Sequence, residues 1–126
     1  MEFRTMTYNK LIAEFMGYEN TGTLNNPMYE YYDNDFQDGS YKIKDLCYHN
    51  SWKWLMPVVL HIEEIPLEET DTYKVHRFSV RSEGIVCEIT DNKTKEVVAY
   101  SDECDKQSNI YQAVVEFIKF YNDQNK

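Results

Sequence analysis

Apolar positions recur at helical spacing in three parts of the chain, and at strand spacing in one block between the second and third. Over residues 6–16, Tyr8, Leu11, Ile12, Phe15 and Met16 fall at i, i+3, i+4, i+7 and i+8, one face of a helix. Thr7 is placed to cap its start and Gly17 to end it. A second helix is expected over about 51–65. Asn50 or Ser51 suits its cap, Leu55, Val58 or Val59, Ile62 and Ile65 keep the period, and Pro66 ends it. Pro57 lies inside this run, where it removes one hydrogen bond and crowds the turn before it. One helix, kinked or loosened in its first two turns, is preferred over a helix that begins at Pro57. The third helix runs from Asp105 or Ser108 to Asn122. Ile110, Val114, Phe117, Ile118 and Tyr121 line its buried face, and Tyr111, Val115 and Phe120 widen it, so neighbours are expected on more than one side.

Residues 72–101 read as three strands. In Tyr73–Val80 the alternation slips: Tyr73 and Val75 face one way, Phe78 and Val80 the other, and a bulge near His76 and Arg77 would restore the register. Gly84 marks a turn. Ile85, Cys87 and Ile89 then alternate with Val86, Glu88 and Thr90. Asp91–Thr94 is a second turn, and Glu96–Ser101 the third strand. Connections this short imply an antiparallel meander. The expected fold class is α+β, with elements in the order α-α-β-β-β-α. The chain's 126 residues suit one domain with a single core.

Residues 18–41 break the periodicity. They hold no Lys or Arg, five acids and five tyrosines, punctuated by Asn, Gly and Pro. A long acidic loop, reaching to about residue 47, is expected there. A second acidic cluster, Glu63, Glu64, Glu68, Glu69 and Asp71, follows the central helix. Over the whole chain 22 acids face 13 bases, for a net charge of −9. Such a surface repels phosphate backbones, so direct nucleic-acid binding is disfavoured, and it attracts basic surfaces.

The stretch from Tyr48 to Ile62 holds both tryptophans and two of the three histidines, and it is the longest apolar run. It is expected to be the packing centre. Trp52 and Trp54, two positions apart on a helix, point roughly 200° from each other, so one belongs to the core and the other to its boundary. Cys47-Tyr48-His49 is a short Cys-x-His pair, but no spacing supplies the other zinc ligands. Asp33–Gly39 resembles the opening of a calcium loop and fails it, with Asp38 and Lys44 at the required Gly and Glu positions. No arrangement of the three cysteines and three histidines selects a nucleophile and base, and no glycine-rich phosphate loop is present. Cys87 reads as a small core residue. No cofactor, metal or catalytic residue is expected. The odd, widely spaced cysteines suit a reducing cytoplasm, and neither a signal peptide nor a membrane span is expected.

Three blocks, Asn9–Gly17, Tyr48–Val59 and Ala113–Asn122, resemble the phage ABA sandwich domain, a group of small phage and prophage proteins of Bacteroidetes. Lys53 stands between the tryptophans where that family usually carries an acid. The resemblance implies a layered α/β/α domain in a phage setting and carries no known activity. With the acidity, it leads to the expectation of a non-enzymatic protein-binding module. Such a module would occupy the basic nucleic-acid-binding surface of a host protein, such as a CRISPR effector, in the bacterial cytoplasm. The expected contact residues are Tyr29, Glu30, Tyr31, Tyr32, Asp33, Asp35 and Asp38, together with the Glu63–Asp71 cluster. The alternatives are an oligomeric phage accessory protein, and a small-ligand binder or hydrolase with a pocket lined by Cys47, His49 or His61.

Overall fold

A computed structural model describes residues 3–22, 28–31, 39–42, 45–67, 76–103 and 105–125, with the backbone alone at 3, 30, 31, 39 and 40. Helix α1 spans Phe3–Phe15, strands β1 and β2 span Met28–Tyr31 and Gly39–Lys42, and helix α2 spans Trp52–Glu63. Strands β3, β4 and β5 (Phe78–Glu83, Val86–Asp91, Glu96–Ser101) precede helix α3, Lys106–Gln124. The class is α+β with antiparallel sheets. The order differs from expectation because two strands lie between the first two helices. β1 and β2 pair antiparallel, Met28 opposite Lys42 and Tyr31 opposite Gly39, within the segment expected to be loop.

α1 begins earlier than its pattern suggests, so Thr7 lies inside the helix rather than at its cap position. Its end follows the sequence. Gly17 has φ +90°, its N–H donates to the Glu14 carbonyl, and the Tyr18 N–H donates to the Ala13 carbonyl. These are the two bonds of a Schellman stop, which needs a left-handed residue at this position. Nothing lies within 4 Å of a Cβ built there, so the demand is one of backbone alone. Gly17→Ala should therefore cost about 1 kcal/mol, the strain of a left-handed alanine. A urea unfolding curve reads this as a lower midpoint at unchanged slope.

α2 runs through Pro57 as one helix, from an extended Ser51 to a C-cap at Glu64. It buries Leu55, Val58, Val59 and Ile62. The Asp105 carboxylate caps α3, accepting from the Ser108 N–H at 2.8 Å and the Ser108 hydroxyl at 2.9 Å.

The β3–β4–β5 sheet is a meander, as the short turns require. Of the strand expected over Tyr73–Val80, Tyr73–Val75 lie outside the described residues, and so does the register across the bulge expected at His76–Arg77. His76 bridges to Pro66, and a further irregularity falls between β4 and β5, where Val98 is left between the pairs Ile89–Ala99 and Thr90–Val97. Phe78, Cys87, Ile89, Ala99 and Ser101 are buried on one face, while Ser79, Arg81, Glu83, Val97 and Tyr100 are exposed. Ile85 is not part of the inward alternation: it sits in the two-residue turn with Gly84 (φ +58°) and is 58% exposed.

The packing centre lies in α3 rather than in the tryptophan stretch. α3 packs on β4 and β5 and also meets α1 and α2. Ile110, Tyr111, Ala113, Val114, Val115, Phe117 and Ile118 are all buried, more of the helix's circumference than a one-sided amphipathic helix covers. The Phe117 ring lies 4.7 Å from Phe78, 5.7 Å from Tyr121 and 6.1 Å from Phe15 between centroids.

Candidate interaction surface

Of the expected contact residues, Tyr29 is a correction. It is fully buried in the core, because alternation along β1 turns it inward, and its hydroxyl has no partner among the described residues. Burial, and then the Glu14 charge, push its phenol above the ordinary value. Glu30 and Tyr31 lie in β1. Tyr32, Asp33, Asp35, Asp38, Glu68, Glu69 and Asp71 lie outside the described residues. Glu63 is half-buried at the end of α2, and its Oε2 accepts from the Val80 N–H at 3.5 Å on the β3 edge. Glu64 is exposed.

A surface that the sequence reading missed lies on α2. Trp52, Met56 and Leu60, at i, i+4 and i+8, are 43%, 40% and 55% exposed. They form one apolar row beside the buried face, with Trp52 next to Val59, and Lys53 and Glu64 lie on the row's outer side. The signal was present: a 12-residue helix with apolar residues on two faces needs two coverings. Trp54 points the other way and is half-buried. Its ring meets Tyr41 of β2 edge-on at 5.1 Å and Tyr48 at 5.3 Å. Tyr41 thereby anchors the β1–β2 hairpin to the base of α2. The expected split between the tryptophans is met, with Trp54 inside and Trp52 outside.

The histidines do not converge. The exposed His61 packs edge-on against Phe15 at 5.1 Å. His49 belongs to a buried polar chain instead. The Tyr111 hydroxyl donates to Asn9 Oδ1 at 2.9 Å, and Asn9 Nδ2 donates to the Leu46 carbonyl at 2.9 Å and meets His49 Nδ1 at 3.0 Å. The Leu46 carbonyl and the Tyr111 hydroxyl together fix which way the Asn9 amide points. His49 Nδ1 must then accept, which places the ring proton on Nε2. Burial lowers the His49 pKa and raises that of Tyr111.

Neither described cysteine is poised as a thiolate. Burial, then Asp45, raises Cys47; burial, then Glu88, pushes Cys87 up to about 11. Among the described residues no group of three or more His, Cys, Asp or Glu side chains could hold a metal ion. No described helix is long and apolar enough to cross a membrane. A cleft of about 410 Å³ lies at the far end of α3, and Cys47, His49 and His61 do not line it. Compared with protein-family models, curated proteins and solved structures, the chain finds no match in any of the three.

Proposed function

We propose that this chain is a non-enzymatic protein-binding module of phage or prophage type. In this reading it acts in the bacterial cytoplasm by occupying a basic, nucleic-acid-binding surface of a host effector such as a CRISPR nuclease. The observation that carries the proposal is the exposed Trp52–Met56–Leu60 row in a chain of net charge −9. Apolar side chains supply the dehydrated anchor and carboxylates supply steering and specificity. The acids of segments 30–38 and 63–71 stand in for phosphates. The layered α/β/α arrangement belongs to the same proposal, with the exposed outer face of the sheet open to a further layer.

The test is competition between this protein and DNA for a purified CRISPR nuclease, read by a mobility shift. Binding should weaken steeply between 0.1 and 0.5 M salt as the Debye length falls from about 10 Å to less than half of that. Reversing Asp33, Asp35 and Asp38 to lysine should weaken it at least tenfold, equivalent to about 1.4 kcal/mol. Unchanged competition by the triple variant would sink the charge-mimicry reading.

The same apolar row favours one other reading, a phage accessory protein that self-associates through α2. Sedimentation decides between them, since a dimer abolished by Leu60→Glu supports self-association.

A further inference from the structure

The 410 Å³ cleft lies where the end of α2, the start of β3, the β4–β5 turn and the last turn of α3 meet. Its volume falls in the range of small-molecule sites, roughly 300–1,000 Å³. Phe120 and Tyr121, both half-buried, give it an aromatic wall, and Arg77, Lys93 and Gln124 bring polar and positive groups. No Asp or Glu lines it among the described residues, in a chain with 22 acids against 13 bases. Two other concavities among the described residues differ in this respect. One of about 370 Å³ carries Asp102, Glu103 and Glu116, and one of about 210 Å³ carries Glu83 and Glu88.

The cation at this cleft is held in place. Arg77 Nε donates to Asp91 Oδ1 at 3.4 Å and Nη2 to Oδ2 at 3.2 Å, and its guanidinium carbon lies 5.2 Å from the Phe78 ring centre. Asp91 is itself buried and also accepts from the Lys93 N–H at 2.9 Å. Burial pushes the Asp91 carboxyl up, but the Arg77 and backbone hydrogen bonds outweigh it and hold the pKa below the ordinary value. Arg77 therefore reaches the cleft already oriented, with little ordering left for a ligand to supply. The last carbonyls of α3 oppose an anion, and Asn125 offsets this by donating Nδ2–H to the Tyr121 carbonyl at 2.8 Å.

We infer that this cleft binds a small planar aromatic anion, an aromatic carboxylate, with its ring against Phe120 and Tyr121 and its charge toward Arg77 and Lys93. This ligand site is separate from the α2 row and does not depend on it.

Titration of the ¹⁵N-labelled full chain with benzoate, benzamide and inorganic phosphate, followed by amide chemical shifts, tests the inference. Benzoate should shift Arg77, Lys93 and Tyr121 saturably, with a Kd of about 1 mM for so small a ligand. Benzamide and phosphate should each bind roughly tenfold more weakly, because one lacks the charge and the other the ring. Lys93→Glu, at an exposed position, should weaken benzoate by a similar factor while leaving the rest of the spectrum in place. Arg77→Lys serves as the second variant, since removing the cation entirely would leave Asp91 buried and unpaired. Absence of saturable shifts, shifts centred elsewhere, benzamide or phosphate binding as tightly as benzoate, or indifference to Lys93→Glu would each overturn the assignment.

Discussion

Phe117→Ala should remove about 3–5 kcal/mol of stability, the cost of emptying a fully buried aromatic site. That is a large share of the roughly 5–15 kcal/mol that a domain of this size holds. The reason lies in position as much as in size. The Phe117 ring touches α1 through Phe15, the sheet through Phe78 and its own helix through Tyr121, so a cavity there loosens three elements at once. Phe117→Leu retains most of the apolar volume and should lose less than half as much. Urea unfolding followed by far-ultraviolet circular dichroism provides the comparison. A cost below about 1 kcal/mol for the alanine variant would contradict α3 as the packing centre.

Asn9→Leu should be the second most damaging single change, at about 2–4 kcal/mol, although it places an apolar residue in an apolar setting. The side chain it removes satisfies the Tyr111 hydroxyl, the Leu46 carbonyl and His49 Nδ1 together. Each group left buried without a partner costs about 1–3 kcal/mol. Adding Tyr111→Phe to Asn9→Leu should recover part of the loss, and this cycle separates the network from simple packing. The pH dependence gives an independent reading. Neutral His49 fits a donor at Nδ1, and its folded pKa is lowered from 6.5. The unfolded chain therefore takes up the proton first. The His49 contribution is complete above about pH 6.5 and is lost as pH falls from there through the folded value. Burial is the main cause of that lowering and Asn9→Leu leaves the ring buried, so the fall in stability between pH 7.5 and 5 should persist in the variant. A clearly shallower profile in Asn9→Leu would show instead that the hydrogen bond to Asn9 sets the titration of His49.

The helices and the meander were legible because their apolar periods are strong. Ile12, Leu55, Ile62, Ile110 and Phe117 announce buried faces, and Gly17, Gly84 and Pro66 mark where elements stop. The β1–β2 hairpin was not legible. Its strands have four residues each, Met28–Tyr31 and Gly39–Lys42, and the surrounding Asn, Gly and acidic residues read as loop. The composition of its segment suggests a contact role for Tyr29, whereas strand alternation decides where it points. Asn9, Asp91 and Asn109 are buried polar residues, which a hydrophobicity pattern assigns to solvent. Their partners lie in other elements: Arg77 before β3 for Asp91, and the Ile85 carbonyl in the β3–β4 turn and the Ser101 hydroxyl of β5 for Asn109. The outward row on α2 was hidden for the opposite reason, since apolar residues are assigned to the core by default. At the candidate surface, the charge was visible and the apolar anchor was not.

The Asn9–Tyr111 bond joins residues 102 positions apart. A ribosome adding about 5–20 residues per second needs roughly 5–20 s to make that span. During that interval α1 and the α2 row exist without the helix that completes the core. The nascent chain thus emerges with Phe15, Phe78 and the α2 leucines and valines exposed, and the native packing becomes reachable only once α3 has been made. A holdase that shields these segments on the ribosome should raise the yield of folded protein more than one that acts after release.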